Sequence, residues 1–148
     1  VVYLVITFKQ LTTHDDLQEY FPLLEEGCKR ISRTQGFTTF APDIYHALLQ
    51  GKVEMVVGFR DGVAKGFFVH HTVQPAIGPA HFYVWLGFIR SGDPEDGIVA
   101  AFNEIERIAA ERGCSQIVFT TRRRGWGKLA ERVGMRLRDY TFFKGVGQ

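Results

Sequence analysis

The stretch HFYVWLGFI (residues 81–89), RSGDPED (90–96), GIVAAFNEIERIAAERG (97–113), CSQIVFTT (114–121) and RRRGWGKLAERVG (122–134) decides the architecture. An apolar strand runs into an acidic turn and a long amphipathic helix. A short apolar strand follows, then a basic turn and a second helix. In the long helix Ile98, Phe102, Ile105 and Ala109 recur at the helical period, Ala101 and Ile108 widen the stripe, and Gly113 supplies a left-handed stop. A helix that joins two strands in this way is a crossover, which makes the strands parallel neighbours with a right-handed connection. The carboxyl ends of both strands and the helix start then open on one side of the sheet, where a ligand site is expected.

Working outward, Val53 to Arg60 and Val63 to His71 read as strands around Asp61-Gly62, a strong hairpin signal. TVQPAIGPA (72–80) connects them to His81–Ile89, so three antiparallel strands precede the crossover. Val1 to Phe8 reads as a first strand. Thr13 is a good helix cap with Asp15 and Asp16 in the turn after it, and that piece ends near Tyr20. Pro22 opens the next helical element, in which Leu23, Leu24, Cys28 and Ile31 share a face. Residues 35–40 read as loop, and Ala41-Pro42-Asp43 opens a short helix stopped at Gly51. Ile117, Val118 and Phe119 are consecutive apolar residues, the pattern of a strand covered on both faces. Trp126, Leu129, Ala130 and Val133 form the last helical stripe, and Met135 to Lys144 reads as a final strand.

At 148 residues, 45% hydrophobic and 23% charged, the chain reads as one domain with a single core. Cys28 and Cys114 are too few for a disulfide framework and read as buried free thiols, which fits a cytoplasmic location. No run approaches the roughly 18 apolar residues of a membrane span. The opening VVYLVITF lacks a basic flank and a cleavage site, so a strand is expected there and not a signal peptide. Between Arg122 and Arg138 lie seven basic residues against Glu131 alone, a net of +6 that leaves −4 for the rest of a chain of net +2. Such a basic end suits an acidic or phosphate-bearing partner, or else an ordinary solvated face and a charge-guarded edge strand.

The order is strand, two short helices, three antiparallel strands, long helix, strand, helix, strand. It resembles the GNAT (N-acetyltransferase) superfamily over nearly the whole length. IYHALLQGKVEMVVGFRDGVAKGFFV, GIVAAFNEIERIAAERGCSQIVF and LAERVGM are similar to the family's central hairpin, crossover helix and closing segment, and PLLEEGCKR and the RGW turn resemble divergent phage-encoded members. The resemblance implies a single α/β (α+β) domain: a mostly antiparallel mixed sheet, one parallel pair splayed at its centre, and helices on both faces.

It also implies that acetyl-CoA enters between the splayed strands. Trp85, Gly87, Phe88 and Ile89 then line the pantetheine slot, and the amides of Gly97 and Ile98 meet the phosphates. The family pattern there is a basic residue or Gln, two positions, Gly, one position, then Gly or Ala. Pro94 and Val99 stand at its outer positions and only Gly97 matches. Asp93, Glu95 and Asp96 cap the helix and repel a pyrophosphate at the same amides. Arg122, Arg123 and Arg124, on the same side of the sheet, offer compensating phosphate contacts. The family's Tyr acid falls at Ala130, with Tyr140 a substitute. The fourth strand holds no carboxylate base. By alternation His81, Tyr83 and Trp85 share one face and Phe82, Val84, Leu86 and Phe88 the other, so His81 or Tyr83 is the candidate base or acceptor-positioning group. His70 and His71 point to opposite faces, and no metal site is expected.

Two readings follow. One is an acyl-CoA-dependent N-acyltransferase acting on an amine-bearing small molecule or protein. The other is an inactive GNAT-fold scaffold contacting a phage or host protein, located in a virion. Nucleic-acid binding ranks last, because the basic segment lacks interleaved aromatics, and GxxxxGK[ST], GxSxG and HExxH are all absent.

Overall fold

The computed structural model describes residues 5–35, 39–122 and 125–147. Strand β1 (Ile6–Gln10) is followed by helices α1 (His14–Glu19), α2 (Phe21–Gln35) and α3 (Ala41–Leu49). Strands β2 (Glu54–Arg60), β3 (Val63–Val73) and β4 (His81–Ile89) come next, then helix α4 (Asp96–Glu111), strand β5 (Gln116–Phe119) and helix α5 (Trp126–Arg132). The five strands form one sheet in the order β1-β2-β3-β4-β5, antiparallel throughout except for the parallel β4–β5 pair. That is the α/β architecture expected. The break near Tyr20 and the helix starts after it fall where the sequence placed them, so three helices precede the hairpin, where the summary order counted two.

The hairpin turns as its residues dictate: Asp61 and Gly62 both have positive φ, 51° and 79°, which a two-residue turn of the right twist requires. Helices α1–α3 cover one face of the sheet over Leu24, Cys28, Ile44, Met55, Val57, Phe67, Val69, Leu86 and Phe88. Helix α4 covers the other over Val56, Phe68, Phe82, Val84, Ile105, Ile108 and Ala109. Gly27, unfavourable in a helix by propensity, sits where α2 comes closest to the sheet, and a Cβ there would collide with the Phe67 ring. Cys28 is buried, while Cys114 is only partly so.

The C-terminal part departs from expectation. Met135 to Lys144 forms no strand; after α5 the described chain is irregular, and Leu137, Tyr140, Phe142 and Phe143 are exposed. The segment has strand-like composition, but Arg136, Arg138 and Asp139 interrupt it, and Arg138 instead binds Asp139 and the Gln116 side chain. With no strand beyond it, β5 is an edge, so the parallel pair lies at the side of the described sheet and not at its centre. For the same reason Ile117, Val118 and Phe119 are only half-buried. None of the described helices is long and apolar enough to cross a membrane.

Candidate functional site

Strand β4 pairs with β5 only from His81 to Val84, opposite Gln116 to Phe119, and then continues alone to Ile89. A β-bulge marks the divergence. Leu86 stands opposite Val69 and Val84 opposite His70, so Trp85 is an extra residue on β4. A bulge bends its strand and sharpens the local twist, here just where β5 ends. It also overturns the simple alternation read from the sequence. Phe82 and Val84 face α4, but Leu86 and Phe88 face α1–α3.

The lone stretch of β4 has backbone groups with no strand to meet. The Arg90 N–H donates to Lys65 O at 2.8 Å, so by the antiparallel ladder Arg90, Phe88 and Leu86 address β3. Ile89 and Gly87 therefore address the side that β5 has left. The Ile89 carbonyl shows this directly, accepting a hydrogen bond from Arg30 Nη1 at 3.2 Å. The resulting slit is a cavity of about 310 Å³. Its walls come from Trp85, Gly87 and Phe88 of β4, Phe119, Thr120 and Thr121 at the end of β5, Ile98, Ala101 and Phe102 of α4, and Trp126 of α5. Trp126 packs edge-on to Phe119, with ring centroids 5.2 Å apart. Ile98, Ala101, Phe102 and Ile105 of the α4 apolar stripe thus line the slit, while Ile105 is also buried in the core with Ile108 and Ala109. Among the described residues, the ionisable side chains on the wall are Arg30, Arg60, Lys65 and Asp93.

At the start of α4 the acidic turn is knit to the sheet. Arg60, at the end of β2 and 8% exposed, donates through Nε to Asp93 Oδ1 at 2.9 Å and through Nη2 to Asp93 Oδ2 at 3.3 Å and Asp96 Oδ1 at 2.6 Å. This two-sided grip raises the guanidinium pKa further, through its hydrogen bonds to Asp93 and then Asp96, and holds the Asp96 carboxyl below the usual carboxylate range. Glu95 pairs with Arg132 of α5. The three carboxylates brace the helix through arginines instead of capping it as the sequence suggested: Glu95 stands at the N-cap without a side-chain capping hydrogen bond, and each of the three is claimed by an arginine.

Among the residues singled out beforehand, Trp85, Gly87, Phe88, Ile89, Gly97 and Ile98 line the slit. His81 and Tyr83 lie at the far end of β4, off the cavity wall. The Tyr83 hydroxyl donates to Thr120 Oγ1 at 3.2 Å, and its ring lies 5.2 Å from that of His71. Tyr140 is 78% exposed and does not line the slit. Arg122 is exposed and directly follows the wall residue Thr121. Arg123 and Arg124 lie outside the described residues. His70 and His71 do point to opposite faces, and no group of metal-ligating side chains occurs among the described residues. Sequence reasoning missed Arg60, Arg30 and Lys65. Arg60 closes an ion pair with a turn 33 residues away, and no local pattern carries that information.

The fit to acetyl-CoA divides in two. The slit, apolar along its sides and bordered by unpaired strand amides, suits an acyl–pantetheine arm. The helix start does not suit a diphosphate: a Cβ on Gly97 would run into the Asp93 carboxylate, so the space a phosphate needs is already filled.

No protein-family model matches the chain, and no curated protein does. Solved structures do. An aminoglycoside acetyltransferase from an uncultured soil metagenomic sample, in complex with trehalose, superposes with a TM-score of 0.74 at 10% identity over 95% of this chain and 96% of its own. Aminoglycoside N-acetyltransferase AAC(6′)-Iy in complex with CoA gives 0.73 at 12% identity over 99% and 98%. A ribosomal-protein-alanine N-acetyltransferase from Brucella melitensis biovar Abortus 2308 gives 0.68 at 21% identity over 95% and 98%. These likenesses span both chains almost end to end and identify the fold of this domain as theirs.

Proposed function

Taking the GNAT fold of this chain as the premise, we propose that it transfers an acyl group from a thioester donor to an amine in the slit between β4 and β5. The observation that carries this reading is the partnerless run of β4, with the amides of Gly87 and Ile89 turned into an apolar cavity. A thioester supplies an activated acyl carbon. The amine nitrogen bonds to that carbon, the carbon–sulfur bond breaks, and the departing thiolate takes the proton the amine gives up. The chain contributes position and polarisation: strand amides donate to the carbonyl oxygen as it gains charge, and walls of Trp85, Phe102, Phe119 and Trp126 keep water out. Asp93 is the one carboxylate on the described wall and Arg60 holds it, so the acceptor enters already as free base. Tyr83 acts as a positioning residue through Thr120. An amine-bearing small molecule or a protein amine is the acceptor, in keeping with the aminoglycoside and ribosomal-protein enzymes that share the fold. Arg122, beside the slit wall, takes the donor's phosphates, with Arg123 and Arg124 as its expected partners.

Calorimetric titration with acetyl-CoA tests this. Saturable binding is expected, weakened several-fold in Arg122→Ala. Unchanged affinity in the variant removes the arginine from the account, and no heat at millimolar acetyl-CoA removes the donor. In that second case an inactive scaffold becomes the better reading, and the internally neutralised helix start is the observation that favours it. The phage-type resemblance gains no support from the structural neighbours.

A further inference from the structure

We infer that the start of α4 is filled by the chain's own anions and is closed to the diphosphate of any donor. A phosphate at a helix start needs free amides, open space beside the glycine and a cation within reach. Here each is already engaged. The Gly97 N–H donates to Pro94 O and the Ile98 N–H to Glu95 O, both at 3.0 Å. The space beside Gly97 is taken by Asp93 Oδ2, with Arg60 Nη2 3.3 Å from where a Cβ would stand. Arg60, the cation at this spot, is gripped by Asp93 and Asp96 together. Asp93 is itself buried, its side chain 5% exposed, so an incoming dianion has to expel a buried carboxylate from its countercharge. Gly97 is the one residue that matches the family's phosphate-loop pattern. In this chain its missing side chain makes room for an internal carboxylate and not for a ligand.

The consequence rests on the acyl-transfer reading: the donor is recognised by its acyl–pantetheine arm in the slit, and its phosphates stay outside α4. Arg60, Asp93 and Asp96 serve as a built-in replacement for the bound anion, fixing the angle of α4 against β2 with no ligand present.

Backbone ¹H–¹⁵N spectra of the full chain test the two claims separately. Acetyl-CoA is expected to shift the amides of Gly87 and Ile89 and to leave Gly97 and Ile98 in place. Millimolar inorganic pyrophosphate is expected to leave Gly97 and Ile98 unmoved as well. In Asp93→Ala, which empties the space beside Gly97 and leaves Arg60 held by Asp96 alone, pyrophosphate should shift both amides saturably. Affinity should be at least tenfold above the native chain. Asp93→Asn, which keeps the shape and loses the charge, should gain less. The seat is open, and the inference wrong, if either ligand moves Gly97 and Ile98 in the native chain, or if Asp93→Ala, its spectrum still dispersed as in the native chain, gains no pyrophosphate response. Acetyl-CoA moving neither pair of amides counts against the acyl-transfer reading alone, because the pyrophosphate series still decides the helix start.

Discussion

Protonating His70 should destabilise this domain in mildly acidic solution. The ring is fully buried on β3, stacked on Phe82 at 4.6 Å and near Phe68 at 5.7 Å, and neither of its nitrogens has a hydrogen-bond partner among the described residues. Glu54 Oε2 is 3.8 Å from Nδ1 but is itself paired with Arg112. Burial therefore dominates and pushes the imidazole pKa down from 6.5 to about 4, with Glu54 opposing and Arg112 and His71 adding to the fall. Because the folded value lies below the unfolded one, the unfolded chain binds the extra proton first. The His70 contribution is level above pH 6.5, and stability is lost progressively as pH falls from about 6.5 to about 4. The 2.5-unit gap corresponds to about 3 kcal/mol in full, of which about 2 kcal/mol is lost between pH 7 and pH 5. At ordinary urea sensitivities that moves the midpoint down by roughly 1 M. The assay is urea unfolding followed by circular dichroism at both pH values, for the native chain and for His70→Phe. The variant shares every other titrating group, so the difference between the two shifts isolates the imidazole, and His70→Leu repeats the comparison with a smaller side chain. Native and variant midpoints falling in parallel would refute the reasoning.

Other outcomes follow from the packing. Gly66→Ala places a Cβ against the Phe88 carbonyl, a backbone atom that cannot swing aside, and should cost at least about 3 kcal/mol; Gly87→Ala meets nothing within 4 Å and should change stability by less than about 1 kcal/mol, both read by urea unfolding. Removing residues 141–148 deletes Phe142 and Phe143, which are 92% and 91% exposed, and should leave the midpoint within about 0.5 kcal/mol; a larger loss would show that the tail packs on the domain. A thiol reagent at pH 7.5 should label Cys114 first and spare Cys28, which is buried with its thiol pushed up to about 11 by desolvation, until the chain unfolds. Mass spectrometry of the labelled peptides gives the order directly.

The hairpin at Asp61-Gly62, the α4 crossover and the parallel strand after it were legible because each is written in local chemistry: two turn residues, a helical stripe with a glycine stop, a short apolar run. The bulge at Trp85 was not, since nothing in HFYVWLGFI marks one residue as extra; the signal is in the register with β3. The faces of Leu86 and Phe88 were misread for that reason alone. The strand expected from Met135 to Lys144 failed on the other side of the same rule: aromatic and β-branched residues describe what fits a sheet, and pairing still needs an edge that accepts them. Six of the candidate slit residues sit where the crossover put them, because strand ends and a helix start are fixed by topology. The Arg60–Asp93–Asp96 cluster was invisible because its halves lie on β2 and in the turn before α4, and only folding brings them together. The acidic turn argued against a diphosphate at α4, and the structure adds what the sequence could not carry, the Asp93 carboxylate seated beside Gly97.

The most direct measurement concerns Gly87. Its Cβ position opens into the slit with no atom within 4 Å, and its φ is not in the left-handed region, so Gly87→Leu fills the cavity and leaves the sheet intact. Calorimetric titration of acetyl-CoA into the native chain and into this variant should show binding in the first and a loss of at least about tenfold, about 1.4 kcal/mol, in the second, at an unchanged urea midpoint. Equal affinity in the two proteins would contradict the claim that the donor lies between β4 and β5.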